Sequence, residues 1–411
     1  MLDNTDRTSQ VLSIGREILQ IQDIDVLLER ILTEARKFVN ADAGSLYLKE
    51  GDNLKFSYTQ NETLQAKLEP GKKMKYSTFT IPISNSSIAG YVANNSEVLN
   101  IPDTYEIPQG APYQFGREFD EKVGYRTKSM LTFPVLNTRK EVLGVLQLIN
   151  ARNEKGEVVS FNKADEPYIM HFADNAALAM ERAQMTRAIL MRMIGMAELR
   201  DPKETGPHVN RVAAYSVEIY EQWARKRGMA EEKIQRDRDL LRMAAMLHDV
   251  GKIAISDTIL KKPGRLDPEE RTIMEEHAMH GARLFTDKYS DFDDASMMVA
   301  LCHHEKWDGS GYPGYIDPIT GKPLPGYETE GGKAKGKKGE EIHPFGRVVA
   351  LADVFDALSC KRSYKASWPE EKVLETLQQD AGTHFDPEMV EVFIESIDSI
   401  RTIADRYPDK D

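Results

Sequence analysis

The chain has 411 residues, with 54 Lys and Arg against 66 Asp and Glu, nine His and two Cys. At about 100–200 residues per domain it is long enough for two or three separate cores, and 41% hydrophobic with 29% charged residues is a globular composition. A net charge of −12 excludes a general nucleic-acid binder, which would carry a basic face. Two cysteines, Cys302 and Cys360, exclude a disulfide framework, and no apolar run approaches the ~20 residues of a membrane span. The opening MLDNTDRTSQ lacks the apolar stretch of a signal peptide, so the expected location is the cytoplasm, with no membrane and no nucleic acid as partner.

Residues 8–39 carry apolar side chains at helical spacing, from Val11, Ile14 and Ile18 to Ile31, Ala35 and Phe38. Strand-like runs follow at 45–48 and 54–59, separated by the turn-prone 51–53, and SSIAGYVANN (86–95) predicts a short helix. Segments 129–136 and 142–149 flank a polar turn at 137–140, a pattern suited to an antiparallel hairpin. The front third therefore predicts an α+β module, helices flanking an antiparallel sheet. From residue 165 to 200 the stripe Ile169, Ala173, Ala176, Met180, Ala183, Leu190, Ile194 and Ala197 predicts one long connecting helix. That seam either packs on its own domains or pairs with a second copy in a parallel dimer.

The rest is helical in pattern, with helices predicted over 207–227, 231–249, 268–287, 292–305 and 344–361. A Gly- and Lys-rich segment with four prolines, 314–344, interrupts it and predicts a mobile surface loop or small insertion. Histidine is concentrated here: only His171 precedes residue 200, and the other eight lie between 208 and 384. His248-Asp249 ends the apolar run LLRMAAMLHD, His303-His304 ends SMMVALCHHE, His277 lies on a further helix, and Asp353 sits inside VVALADVFDAL. His208 follows Pro207, a first-turn residue, with Glu204 four positions earlier. Imidazole and carboxylate on apolar helix faces are unfavourable without partners, and together they suit Fe, Mn, Zn and similar ions. Each alone could be a cap or a satisfied core group, whereas five such elements in one helical segment point to a multinuclear metal site. His171, His280, His343 and His384 read as structural or exposed.

HDVGK (248–252), HHEKWDGSGYP (303–313) and ALADVFDAL (350–358) resemble the HD-GYP subgroup of the HD phosphohydrolases over about residues 200–400. The resemblance implies an all-α domain that opens cyclic di-GMP to linear pGpG, in some members on to GMP. Carried over motif by motif, it implies His208, His248, Asp249, His277, His303, His304 and Asp353 as metal ligands, with Glu204 added in members that hold a third ion. Two or three divalent ions are implied, iron first, with manganese or another ion open. Such ions acidify water and stabilise charge on the attacking and leaving oxygens of a phosphodiester. Asp249 and Lys252 are the expected catalytic pair, Lys252 neutralising a phosphate oxygen or holding the bridging ligand. Arg362 and Lys365 match family positions that contact substrate phosphate, or else form a solvated basic helix end. Tyr312 could stack a guanine or only shape its loop. The sequence departs from the family at GEEI (339–342), displaced by an extra Gly/Lys-rich stretch that could be a lid, a contact for a signalling partner at the GYP loop, or a tolerated insertion.

The front module, residues 20–180, resembles a GAF domain through ADAGSLYL, SIAGYV, LNIPD, SMLTFPV and VLGVLQLIN in order. Asn150, Phe161, Asp165 and Glu166 partly match the signature of cyclic-nucleotide-binding GAF domains, although Ala151 replaces its Lys. The resemblance implies a sensor, with a cyclic mononucleotide as ligand, or a module used only for dimerisation. The division expected is a GAF domain with its N-terminal helix (1–165), a connecting, dimerising helix (166–200) and an HD-GYP domain (201–411). The expected function is a homodimeric, GAF-regulated cyclic di-GMP phosphodiesterase. Alternatives are an enzyme for another cyclic dinucleotide such as cyclic GMP–AMP, and a scaffold without catalysis.

Overall fold

A computed structural model describes residues 4–68, 79–200, 206–359 and 368–409. The chain divides into two compact units, 1–186 and 187–411.

In the first unit the apolar stripe of residues 8–39 forms two helices, α1 (Asn4–Ile18) and α2 (Ile24–Phe38), where the sequence suggested one continuous pattern. The break has a local cause: Asp23 takes an extended backbone, and its carboxylate accepts the amides of Asp25 and Val26, which starts a new helix. Among the described residues seven strands follow: β1 (Ala41–Glu50), β2 (Asn53–Asn61), β3 (Thr80–Pro82), β4 (Leu99–Ile101), β5 (Met130–Leu136), β6 (Val142–Arg152) and β7 (Val158–Val159). All pairings are antiparallel in the order β3-β2-β1-β6-β5-β4, with β7 beside the end of β6. The hairpin read at 129–149 is β5–β6. Short helices α3 (Glu62–Gln65), α4 (Ile88–Asn95) and α5 (Glu118–Val123) fill the connections. Helices α1, α2 and the first half of α6 (Glu166–Glu198) pack on one sheet face through Leu27, Ile31, Leu46, Phe133, Leu146 and Phe172. Helix α4 covers the other through Ala89 and Val92 against Tyr47 and Val145. Each fully buried Leu, Ile or Phe contributes about 1.5–3 kcal/mol.

The α6 seam is now assigned. Ile169, Ala173, Ala176, Met180 and Ala183 are buried in the first unit's core, and Leu190 and Ile194 in the second's. Of the two readings of that stripe, packing within its own units is the one these seven residues follow. A different stripe on the same helix, Leu178, Met185, Ile189 and Met196, continued by Leu199, is exposed.

The second unit is a helical bundle of α7 (Gly206–Lys226), α8 (Glu231–Ala245), α9 (Asp257–Leu260), α10 (Pro268–Glu275), α11 (His277–Arg283), α12 (Asp291–Cys302), α13 (Pro344–Ser359), α14 (Glu370–Gln379), α15 (Pro387–Glu395) and α16 (Ile397–Arg406). Its core runs from Val212, Ile219 and Tyr220 on α7 to Val299 on α12, Val348 and Leu351 on α13, and Phe393 on α15. Three predicted helices are shorter than their sequence pattern, and each break falls at a candidate ligand: α8 stops at Ala245, α12 at Cys302, and 268–287 splits at Glu276.

The segment 314–344 is more ordered than its composition suggested. Buried Glu305 accepts the amides of Gly314 (2.6 Å) and Lys337 (3.2 Å), pinning both ends of the excursion. Tyr315 stacks on Tyr327, β-bridges join Ile316 to Pro323 and Glu328 to Ala334, and Ile342 lies in the main core. A buried carboxylate that captures two amides supplies order that Gly and Pro content conceals.

Candidate metal centre

Five elements deliver the candidate ligands to one place. The turn after α8 carries His248 and Asp249, α11 begins with His277, α12 ends into His303 and His304, and α7 and α13 supply His208 and Asp353. The donor atoms form two groups, each within 4.8 Å: Asp249, His277, His303 and His304 in one, His208, His248 and Asp353 in the other. Asp249 lies between them. Its Oδ1 is 3.1 Å from His277 Nε2 and 3.5 Å from His303 Nε2, and its Oδ2 is 3.4 Å from His248 Nε2. In the second group His208 Nε2 is 3.6 Å and His248 Nε2 4.0 Å from Asp353 Oδ1.

The imidazoles are oriented from behind. His248 Nδ1 meets the carbonyl of Ala245 at 2.9 Å, His277 Nδ1 that of Met274 at 2.7 Å, and His303 Nδ1 those of Ala300 at 3.0 Å and Val299 at 3.1 Å. A carbonyl only accepts, so each Nδ1 carries the proton and each Nε2 turns a lone pair inward. Burial, the largest influence, lowers the pKa of His303 and holds that of His304 well below the usual range, favouring neutral rings. For Asp249 burial acts in the opposite sense, but the Lys252 ammonium leads the influences that keep its carboxyl well below the usual range. Lys252 Nζ sits 2.5 Å from Asp249 Oδ2. Neutral imidazoles and an ionised carboxylate converging in a largely buried site are the donor set of a divalent transition-metal site. The residues present fit such ions.

Tyr312 reaches the site, but one face of its ring is stacked on His304, with centroids 4.8 Å apart. Its hydroxyl pKa is raised, first by burial and then by Asp249 and Glu275. Glu204, Arg362 and Lys365 lie outside the described residues. The four GAF positions make contacts within their own domain. Asn150 donates to Tyr125 Oη and the Arg126 carbonyl and accepts the Lys128 amide; Phe161 is core; Asp165 pairs with Arg7; Glu166 accepts from Asn100. Side chains satisfied in this way brace the end of β6 and the start of α6.

Two features escaped the sequence reading. Gly251 lets the 3-10 turn Val250–Ala254 touch α11, since a Cβ there would lie 1.9 Å from the carbonyl of His277. Asp356, one turn beyond Asp353, is buried against His208 and Arg211. Its signal was its i,i+3 spacing on the apolar α13.

Comparison with known proteins agrees with this geometry. Residues 23–180 match the GAF domain, and residues 205–358 and 329–389 match HD domain families. A 3'3'-cGAMP-specific phosphodiesterase 2 of Vibrio cholerae is 36% identical over 236 residues, covering 57% of this chain and 40% of that protein. A probable cyclic di-GMP phosphodiesterase of the same organism is 29% identical over 339 residues, covering 79% and 68%. A cyclic di-GMP phosphodiesterase of Thermotoga maritima is 36% identical over 216 residues, covering 53% and 50%. The chain thus spans between two fifths and two thirds of the length of these relatives.

Proposed function

Because the chain carries a GAF domain ahead of an HD domain, we propose that it is a metal-dependent phosphodiesterase of the HD-GYP type. Its substrate in this reading is cyclic di-GMP, opened to pGpG, under control of the GAF domain, with pGpG or GMP as the final product. The observation that carries the reading is Asp249, shared between two buried His/Asp groups.

The ligands are His208, His248 and Asp353 for one ion and Asp249, His277, His303 and His304 for another, with Glu204 reserved for a third. Iron is the preferred metal, with manganese as substitute. Such ions supply Lewis-acid activation of water and charge neutralisation at phosphorus. The chain's own part is to keep the imidazoles neutral and aimed, to hold Asp249 ionised, and to place the Lys252 ammonium beside it, where a phosphate oxygen would meet positive charge. Arg362 and Lys365 are assigned to the substrate phosphates in this reading, and Tyr312, stacked on His304, to the substrate-binding site. The boundaries in this reading are 1–165, 166–200 and 201–411. The protein is cytoplasmic and works as a homodimer along α6, with a cyclic mononucleotide as the GAF ligand and a signalling partner at the GYP loop.

Cyclic GMP–AMP is the second substrate reading, favoured by the specificity named for the Vibrio cholerae relative. The test is turnover of each dinucleotide by metal-loaded protein, compared as kcat/KM. A higher value for cyclic di-GMP is expected, and equal or inverted values would refute that preference. Persistence of turnover in Asp249→Ala would refute the assigned centre, and lack of turnover by the wild type would favour the scaffold.

A further inference from the structure

Among the candidate ligands described, His208 differs from His248, His277 and His303 in what stands behind it. Those three rings lean on backbone carbonyls, whereas His208 Nδ1 lies 2.8 Å from Asp356 Oδ2. Asp356 is 1% exposed, and its carboxylate is also gripped by Arg211, Nε to Oδ1 at 2.7 Å and Nη2 to Oδ2 at 3.0 Å. Arg211 is anchored in turn by the Tyr407 carbonyl and the Asp409 carboxylate, each 2.8 Å from Nη1. A carboxylate held ionised by a bidentate guanidinium can only accept, so the His208 proton is fixed on Nδ1. The Nε2 lone pair then faces Asp353 Oδ1, acceptor toward acceptor, at 3.6 Å, an arrangement that a cation between them would favour.

We propose that Asp356 is a positioning residue that acts through His208 and sets the metal affinity of the His208–His248–Asp353 group independently of the Asp249–His277–His303–His304 group. The proposal rests on the reading of these groups as metal sites but not on any substrate. Asp356 does not brace the second group: His277 and His303 there lean on carbonyls from the Met274 turn and from α12, which its loss leaves in place. An amide at position 356 has one acceptor oxygen in place of two, for three donor contacts. Its NH₂ would face either Arg211 Nε, breaking the bidentate grip that orients the group, or His208 Nδ1, drawing His208 toward the tautomer that cannot ligate through Nε2.

The test is Mn²⁺ titration of the metal-free full-length chain against a competing chelator, for wild type, Asp356→Asn, Asp353→Asn and the double variant. In Asp356→Asn one dissociation constant should rise about 10- to 100-fold while the other stays within about threefold. The double variant should lose no more than Asp353→Asn alone, because both act on one ion. Asp409→Asn, which touches the same Arg211 without touching His208, should keep both affinities. Unchanged affinities in Asp356→Asn, or equal weakening of both groups, would overturn the proposal. Should that variant fail to fold, the wild type still decides. In ¹⁵N-histidine-labelled metal-free protein, the His208 ring, identified by its loss in His208→Gln, should carry its proton on Nδ1, and a proton on Nε2 would overturn the assignment. Wild-type protein that binds Mn²⁺ normally but turns over no dinucleotide would defeat the functional reading alone.

Discussion

His277 and His303 turn their Nε2 atoms toward each other at 3.4 Å. Both rings hold their proton on Nδ1 against backbone carbonyls, so two lone pairs face one another inside the core, with Asp249 Oδ1 beside them. Three acceptors converging without a cation repel; a divalent ion converts the repulsion into ligation. Metal should therefore stabilise the folded state by RT ln(1 + [M]/Kd), about 3–4 kcal/mol at 100 to 1,000 times Kd. Calorimetry with and without chelator should show this as a rise in Tm that His303→Ala abolishes. A Tm indifferent to metal would contradict the site.

Lys252 bonds to Asp249 from a 3-10 turn that only Gly251 allows to approach α11. Lys252→Met removes the ammonium while preserving side-chain length. A drop of about 10²–10³ in kcat is expected, the range for losing one preorganised charge donor, with metal content retained. Metal loss in parallel with activity would instead make Lys252 a support for Asp249, and the two are separated by elemental analysis of the same preparation.

Arg200, just beyond α6, donates to the carbonyls of Ile253, within that turn, and Ile255, just after it, and to the Asp257 carboxylate. The guanidinium is over a third exposed, so Arg200→Ala should cost at most about 1 kcal/mol of stability. Its effect should appear as faster amide exchange over residues 250–257 and a severalfold lower kcat. Unaltered exchange there would show that the contact does not restrain the Lys252 turn.

What the sequence disclosed about this centre follows from where its residues sit. His248, His303 and Asp353 interrupt or end apolar runs, and a polar residue in such a place calls for a partner, so they could be read directly. Asp356 interrupts the same run three residues after Asp353, but its partners come from α7, 145 and 148 positions away, and pairing at that distance is not written locally. Gly251 is visible as a glycine but not as a contact, because the neighbour it admits belongs to another helix. On α6 the spacing gave the helix correctly, yet a stripe of small and apolar residues cannot say whether it faces its own core or a second chain. In the front domain a signature match picked out Asn150, Asp165 and Glu166, but not the bonds that their side chains make within the domain, whose partners lie elsewhere in the chain.

The exposed stripe on α6 is the remaining candidate for pairing. Leu178 and Met185, like Ile189 and Met196, are separated by seven residues, and Met185 is 67% exposed. A heptad-spaced apolar line on a 33-residue helix is suited to a second copy of the same helix. Met185→Lys combined with Ile189→Lys should convert a dimer to a monomer in sedimentation velocity, with unfolding unchanged to within about 1 kcal/mol. A dimer that persists in the double variant would place the interface elsewhere.

His343, set aside as structural or exposed in the sequence, provides a pH test independent of metal. Its Nδ1 accepts the amide of Phe345 at 3.2 Å, and its ring lies edge-on to the Phe345 ring. Burial first and Arg347 second push its pKa from 6.5 down to about 4; Lys233 and Lys337 act in the same direction, and Asp237 opposes them. The unfolded chain binds this proton near pH 6.5 and the folded chain only near 4, so between those values the unfolded state holds more protons. Stability from this group is therefore complete above pH 6.5 and is lost as the pH falls through 4. The full shift corresponds to about 3 kcal/mol, and partial solvent access reduces it to about 2. His343→Gln keeps an acceptor for the Phe345 amide but cannot titrate. The difference in unfolding free energy between wild type and this variant should change by about 2 kcal/mol in favour of the wild type from pH 4 to pH 7. Parallel curves over that range would mean that His343 is not held neutral by its surroundings.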